Sequence, residues 1–262
     1  MTEKHGLKIA VSGKGGVGKT TLAALLCHLF SKEGKSVLAV DADPDANLGM
    51  ALGFSPDELA QVTTIAEDRK LIKERTGAEP GTPGSLFCLN PRVDDIPEKY
   101  IVNKGNIRLL QLGQSAAGGS GCYCPENTFL KKLLNHLVLA PNDTVVVDME
   151  AGLEHMGRGT ARAVDAFIVV VEPGQRSFQT AAATVRLAKD LGVEKVFAVI
   201  NKVHPGQEES VCRFLDFLPL LGILPFNPSV IEADLTGTPV FETNGQMVQL
   251  AEQIKDKLEN NV

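Results

Sequence analysis

Apolar positions along the chain fall into short continuous runs, separated by stretches with helical spacing. Leu7-Lys-Ile-Ala-Val11 is a β-branched run that ends in a glycine-rich turn; Leu22, Leu25, Leu26, Leu29 and Phe30 then recur at i, i+3, i+4, i+7 and i+8, the period of a helix. Similar runs predict strands over 36–40, 106–112, 144–147, 166–171, 195–200 and 218–224, and helical spacing predicts helices over about 126–139, 155–164, 177–191, 207–217 and 246–260. Between the second and third strands an irregular, partly helical stretch extends to about Pro97. Continuous Val/Ile runs alternating with helices indicate strands buried on both faces. The expected class is therefore α/β, with a mostly parallel central sheet flanked by helices on both faces. No linker rich in Pro, Gly or Ser and no internal repeat divides the 262 residues, so a single domain over 1–262 is expected.

Composition narrows the function classes. A chain that is 44% hydrophobic and 22% charged is neither disordered, collagenous nor a coiled coil. The longest apolar runs, 166–171 and 217–226, are too short to span a bilayer, and Pro219, Gly222 and Pro225 interrupt the second. The first residues lack an apolar leader segment, and five Cys suit a reducing compartment better than a disulfide framework, so a cytoplasmic location is expected. A net charge of −6 gives no reason to expect nucleic acid as a partner.

Gly13-Lys-Gly-Gly-Val-Gly-Lys19-Thr20 satisfies G-x-x-x-x-G-K-[ST] between the first strand and the first helix, the setting this motif requires. Gly13, Gly15, Gly16 and Gly18, with Val17 among them, let backbone N–H groups turn inward around phosphate oxygens. The helix that begins at Lys19, Thr20 and Thr21 adds its positive end. Lys19 is expected to neutralise the β- and γ-phosphates of a nucleotide and the Thr20 hydroxyl to ligate Mg²⁺, which makes the expected fold a single-domain P-loop NTPase. Asp41-Ala-Asp43-Pro-Asp45-Ala-Asn47 follows the second strand, at the end of a parallel sheet where ligands bind, although an Asx/Pro turn would use the same residues. Val145-Val-Val-Asp148 is an apolar strand ending in Asp, an arrangement that holds Mg²⁺ directly or through water. The glycine-hinged run Leu153-Glu-His155-Met-Gly-Arg-Gly159 behind it is a candidate switch, in which His155 is either a functional contact or a solvated capping residue.

Lys14, directly after the first glycine, is not demanded by the basic loop. With it, the motif resembles the deviant Walker A, K-G-G-x-G-K-[ST], of the ParA/MinD/nitrogenase-reductase class of ATPases. That resemblance implies an ATP-dependent homodimer. In it Lys14 would cross to the partner's nucleotide and stabilise transferred charge as an arginine finger does, and Asp43 would orient the attacking water. Asp148-Met-Glu-Ala-Gly-Leu-Glu-His-Met-Gly-Arg-Gly and Pro225-Phe-Asn-Pro-Ser-Val-Ile-Glu-Ala-Asp234 are more specific. They resemble the CooC-type ATPases that insert nickel into carbon monoxide dehydrogenase, and the related accessory ATPases of acetyl-CoA synthase, along essentially the whole chain. The resemblance implies hydrolysis of ATP to ADP and phosphate, with Lys14, Lys19 and Asp43 in the catalytic machinery, Asn201 and Pro225 at the adenine, and one of those two nickel enzymes as client.

Cys122-Tyr-Cys124, in the glycine-rich segment before the 126–139 helix, can present two thiols in one direction. Nearby helix amides favour the thiolate form. Two Cys are too few for a closed site, but a two-fold axis would bring four together, able to hold Zn²⁺, Ni²⁺ or an iron–sulfur cluster. The CooC resemblance implies metal, Ni²⁺ or Zn²⁺, held between subunits by Cys122 and Cys124. Cys27 sits in the apolar pattern of the first helix and is expected in the core; Cys88 and Cys212 have no partner at metal spacing and are read as structural.

Two other readings compete with nickel delivery. A nitrogenase-reductase-like electron-transfer ATPase would need cluster cysteines far apart in sequence, whereas these are adjacent. A ParA- or MinD-like positioning ATPase would need a basic DNA-binding patch or a terminal membrane helix. The last helix carries Met247, Leu250, Ile254 and Leu258 at core spacing, with no aromatic residue and more acid than base, so no membrane partner is expected.

Overall fold

The computed structural model describes residues 6–43, 45–77, 88, 100–113, 142–150, 164–190 and 192–262. The apolar runs form strands β1 (Leu7–Gly13), β2 (Ser36–Asp41), β3 (Ile101–Lys104), β4 (Ile107–Gln111), β5 (Asp143–Glu150), β6 (Ala166–Val171), β7 (Val196–Val203) and β8 (Leu220–Pro225). They join in one eight-stranded sheet in the order β3-β4-β2-β5-β1-β6-β7-β8, in which every pair is parallel except β3 with β4. The described helices are α1 (Lys19–Lys32), α2 (Leu48–Ala51), α3 (Pro56–Leu59), α4 (Arg69–Thr76), α5 (Gln175–Asp190), α6 (Glu208–Arg213), α7 (Pro228–Thr236), α8 (Val240–Thr243) and α9 (Gly245–Glu259). The α/β class read from the alternation of runs is the fold the chain adopts.

Successive strand residues point to opposite faces, and β1 shows the result. Ile9 and Val11 share a core layer with Leu22, Leu25, Met247 and Ile254 of α1 and α9, whereas Ala10 faces the layer that holds Ala181 and Val185 of α5. Both faces are thus covered, which is why the strands read as unbroken Val/Ile runs. Cys27 is completely buried in the α1 layer, as expected, and burial pushes its thiol pKa far up. The buried Lys255 of α9 reaches Glu33 at 2.5 Å and Glu259 at 3.1 Å, tying the last helix to the end of α1. Among the described residues no helix is long and apolar enough to cross a membrane.

Three differences from the sequence expectation have local causes. β3 was not expected; it pairs with β4 through a tight Gly105-Asn106 turn, with Gly105 at φ 59° and Lys104 opposite Ile107. Gly-Asn between two strands is a hairpin signal, and this short edge strand, exposed at Asn103 and Lys104, lacks the apolar run that marks the others. The helix expected over 207–217 ends at Arg213. Leu215 and Leu218 are inside while Phe214 and Phe217 are exposed, and i→i−3 bonds from Leu215 to Cys212 and from Leu218 to Leu215 close turns rather than a helix. α7 was also unforeseen, although Asn227 caps it through Ser229 N–H at 3.0 Å and Pro228 opens it. Cys212 is half-buried, but Cys88 is exposed, so packing does not account for that thiol. The helix expected over 126–139, and all but the last residue of that expected over 155–164, lie outside the described residues, as do Cys122, Cys124 and His155.

Candidate active site

The C-terminal ends of β1, β2, β5, β7 and β8 lie along one edge of the sheet, and a cleft of about 510 Å³ opens there. β1 and β5 are neighbours from which the chain leaves in opposite directions, β1 toward β2 and β5 toward β6, the switch point where open α/β sheets bind ligands. Gly15, Gly16, Gly18, Lys19, Thr20 and Thr21 line one end of the cleft. The strand-turn-helix conformation of this loop depends on glycine at two points in particular. Gly18 caps α1 at φ 92°, and a Cβ on it would sit 2.2 Å from Asn201 Nδ2; one on Gly13 would sit 2.5 Å from the Val170 carbonyl oxygen. No side chain caps α1 and no acidic residue occupies its first turn, so its terminal N–H groups are left for a ligand anion.

Charge is concentrated at this end. Lys19 Nζ lies 2.5 Å from Asp43 Oδ2, with both side chains under a tenth exposed. The other Asp43 oxygen accepts the Asp45 N–H at 2.9 Å. Asp41 and Asp148 are direct partners across β2 and β5, and both are fully buried. Asp41 accepts the N–H groups of Leu48 at 2.9 Å and Asp43 at 3.3 Å, which fastens the turn between β2 and α2. Burial, with Asp148 alongside, pushes the Asp41 pKa up to about 7. Burial likewise pushes Asp148 up to about 6, against the Thr20 hydroxyl and the Lys19 ammonium, which favour its charged form. Among the described residues neither carboxylate oxygen of Asp148 has a full hydrogen-bond partner. A buried carboxylate short of donors, beside a hydroxyl at a helix start, fits a hydrated Mg²⁺, which typically takes only one or two protein carboxylates along with substrate phosphates. No group of three or more His, Cys, Asp or Glu side chains among the described residues is assembled for any other metal.

The structure brings Gly13, Gly15, Gly16, Val17, Gly18, Lys19, Thr20, Thr21, Asp43 and Asp148 together around this end. Lys14 departs from them: it is exposed and does not line its own chain's cleft. Asn201 and Pro225 line the cleft further along, beside Phe226 and Ile231. Asn201 is buried and donates from Nδ2 to the Val17 carbonyl at 2.8 Å. Phe226 stacks on His204 with ring centroids 4.7 Å apart. Sequence reasoning placed Asp41, Lys202 and Phe226 at strand ends near the site but gave none of them a role. Asp41 had a signal, because it ends an apolar strand just as Asp148 does; Lys202 and Phe226 had none beyond their neighbours.

Residues 8–240 match the CobQ/CobB/MinD/ParA nucleotide binding domain. The carbon monoxide dehydrogenase accessory protein CooC of Rhodospirillum rubrum is 45% identical over 237 residues, which cover 90% of each chain. An uncharacterized ATP-binding protein of Methanocaldococcus jannaschii is 40% identical over 89% of this chain and 91% of its own. Among solved structures, the MinC:MinD cell division complex of Aquifex aeolicus superposes with a TM-score of 0.67 at 22% identity, covering 97% of this chain and 96% of that one, a likeness of fold.

Proposed function

This chain belongs to the CobQ/CobB/MinD/ParA nucleotide-binding domain family and, within it, to the CooC-type ATPases; from that premise we propose that it is a metallochaperone that uses ATP to deliver nickel to a carbon monoxide dehydrogenase or an acetyl-CoA synthase. The observation that carries this reading is the near-full-length likeness to the Rhodospirillum rubrum accessory protein. Nickel is the cargo, held by Cys122 and Cys124 of two chains, where four thiolates suit a square-planar Ni²⁺ or a tetrahedral Zn²⁺. A MinD-like membrane role has less support, because Met247, Ala251, Ile254 and Leu258 of the last helix are buried in the core and offer no apolar face to a bilayer.

The ATPase residues act as follows in this reading. Without nucleotide, the Lys19 ammonium is neutralised by Asp43. When ATP enters, its phosphates displace Asp43 from Lys19, and the freed carboxylate orients the attacking water. Thr20 and Asp148 would hold Mg²⁺, which when bound would offset phosphate charge. The second Asn201 amide proton and Pro225 contact the adenine. Lys14, exposed and outside its own cleft, is available to cross to a partner's nucleotide, so the closed homodimer is the hydrolytic state. Closure couples to the cargo only if ATP binds the closed dimer better than the open one.

The test is an anaerobic Ni²⁺ titration of the reduced protein, read by sulfur-to-nickel charge-transfer absorption, beside a Cys122→Ser/Cys124→Ser variant. Absorption that saturates near one nickel per two chains and is absent in the variant is the expected result. Nickel bound equally by the variant, or by neither protein, sinks the delivery reading and leaves an ATPase without this cargo.

A further inference from the structure

Lys202 is the only non-glycine residue at positive φ among the described residues, at 58°. A side chain held in the left-handed region is strained, and such strain persists where surrounding contacts impose it. Here two of the contacts reach the phosphate loop. The Lys202 N–H turns back to Asn201 Oδ1 at 2.9 Å, Asn201 Nδ2 donates to the Val17 carbonyl at 2.8 Å, and Lys202 Nζ donates to the Gly16 carbonyl at 2.5 Å. Glu172, just past β6, stands 3.6 Å from the same ammonium. Two adjacent residues in the last turn of β7 thus grip two consecutive loop carbonyls.

The grip has a geometric consequence. A trans peptide points its carbonyl and its N–H in opposite directions. Drawing the Gly16 and Val17 carbonyls toward β7 therefore turns the N–H groups of Val17 and Gly18 away from it, into the hollow of the loop. The Val17 N–H already faces inward, toward the Lys14 carbonyl at 3.3 Å. The room for this is specific to glycine, since a Cβ on Gly18 would collide with the Asn201 amide.

We propose that Asn201 and Lys202 form a two-point clamp that presets the amides of the phosphate loop, with Lys202 a positioning residue for nucleotide affinity. The inference rests on residues 13–20 cradling phosphates; it is independent of what the ATPase delivers. Loop amides serve phosphates that ATP and ADP share, so the clamp acts on both nucleotides and not on the hydrolytic step.

The test is calorimetric binding of AMPPNP and ADP with Mg²⁺ to the full-length protein, with steady-state ATP turnover. Lys202→Met is expected to weaken both nucleotides by about fivefold to tenfold, the range for a partly exposed charged hydrogen bond, and to raise KM while kcat stays within about twofold. Lys202→Gly, which relaxes the backbone but removes the ammonium, is expected to lose the same affinity with no loss of thermal stability. This second variant keeps the experiment open if the first is poorly folded. Unchanged affinity in Lys202→Met, wild-type affinity in Lys202→Gly, or a fall in kcat at constant KM would each overturn the clamp. Wild-type protein that bound neither nucleotide would instead remove the phosphate-loop reading, and the clamp with it.

Discussion

At the phosphate end of the cleft, the ionisable side chains of Lys19, Asp41, Asp43 and Asp148 are all buried. At the other end the lining is Pro225, Phe226, Ile231 and Val240, with Asp234 the acidic exception, and Phe226 and Ile231 are exposed. Buried charges are costly unless paired, so the phosphate end stores free energy that a Mg²⁺-nucleotide can release. The apolar end stores little and offers surface. Substitutions at the first end should therefore change turnover, stability and pH dependence together. Those at the second should change affinity by small factors and little else.

The largest effect is expected from Lys19→Ala. It removes the phosphate contact and leaves Asp43 buried without its cation. ATP turnover should fall by at least about 10²-fold, the scale for losing one transition-state contact. The nucleotide-free protein should also lose about 3 kcal/mol, as when a buried ion pair is halved. Lys19→Arg separates the two effects, since it keeps the charge but not the reach: stability should largely return while turnover does not. Chemical denaturation and a phosphate-release assay on both variants check this. Full turnover in Lys19→Ala would break the contrast between the two ends at its root.

Asp148→Asn comes next. Asp41 and Asp148 have folded-state pKa values of about 7 and about 6, raised from 3.8 by burial. Below about pH 4 both are protonated whether the chain is folded or not. Between about 4 and 7 the folded protein retains protons that the unfolded chain has released, so stability falls as pH rises through this window and levels off above it. At pH 8 the Asp148 share of that penalty is no more than about 3 kcal/mol. Asp148→Asn should flatten the upper part of the decline and raise the nucleotide-free melting temperature at pH 8 relative to wild type, while Mg²⁺-dependent hydrolysis is lost. Thermal melts at pH 5 and pH 8 decide it; a variant that melts lower than wild type at pH 8 would mean that Asp148 is not a stored strain.

The same contrast explains what was legible in the sequence. The phosphate end is built from short local signals: residues 13–20 are one motif, Asp148 closes an apolar run, and Asp43 follows another by two residues, so residue type and spacing carry the geometry. The sheet was legible for a related reason, since strands buried on both faces must be unbroken Val/Ile runs, as in β5 and β6. The apolar end joins Asn201 and Lys202 of β7 to the 225–241 segment of β8, α7 and α8, which has no residue pattern that by itself announces a base site. Asn201 and Pro225 could be named only through the family resemblance. Lys202 could be placed beside Asn201 at a strand end but given no role, because a left-handed backbone at a lysine leaves no trace in composition or periodicity. β3 and α7 were missed where a Gly-Asn turn and an Asn-Pro cap, both present, were outweighed by the lack of a long apolar run.

The smallest effect is expected from Phe226→Ala, and it sharpens the comparison most finely. Phe226 stacks on His204 and its backbone N–H donates to the Val203 carbonyl at 2.9 Å, so the ring is held in place from the end of β7 where it lines the cleft. Removing it takes away one stacking surface, worth about 0.5–1.5 kcal/mol, and no charge. The affinity for AMPPNP and for ADP should fall by about threefold to tenfold, with kcat and the pH profile of stability unchanged. An altered pH profile would show that the two ends are coupled through β7 and that the division between stored charge and passive surface is wrong. Unchanged affinity would place the base away from this ring, and would leave Pro225 to define that end of the cleft without it.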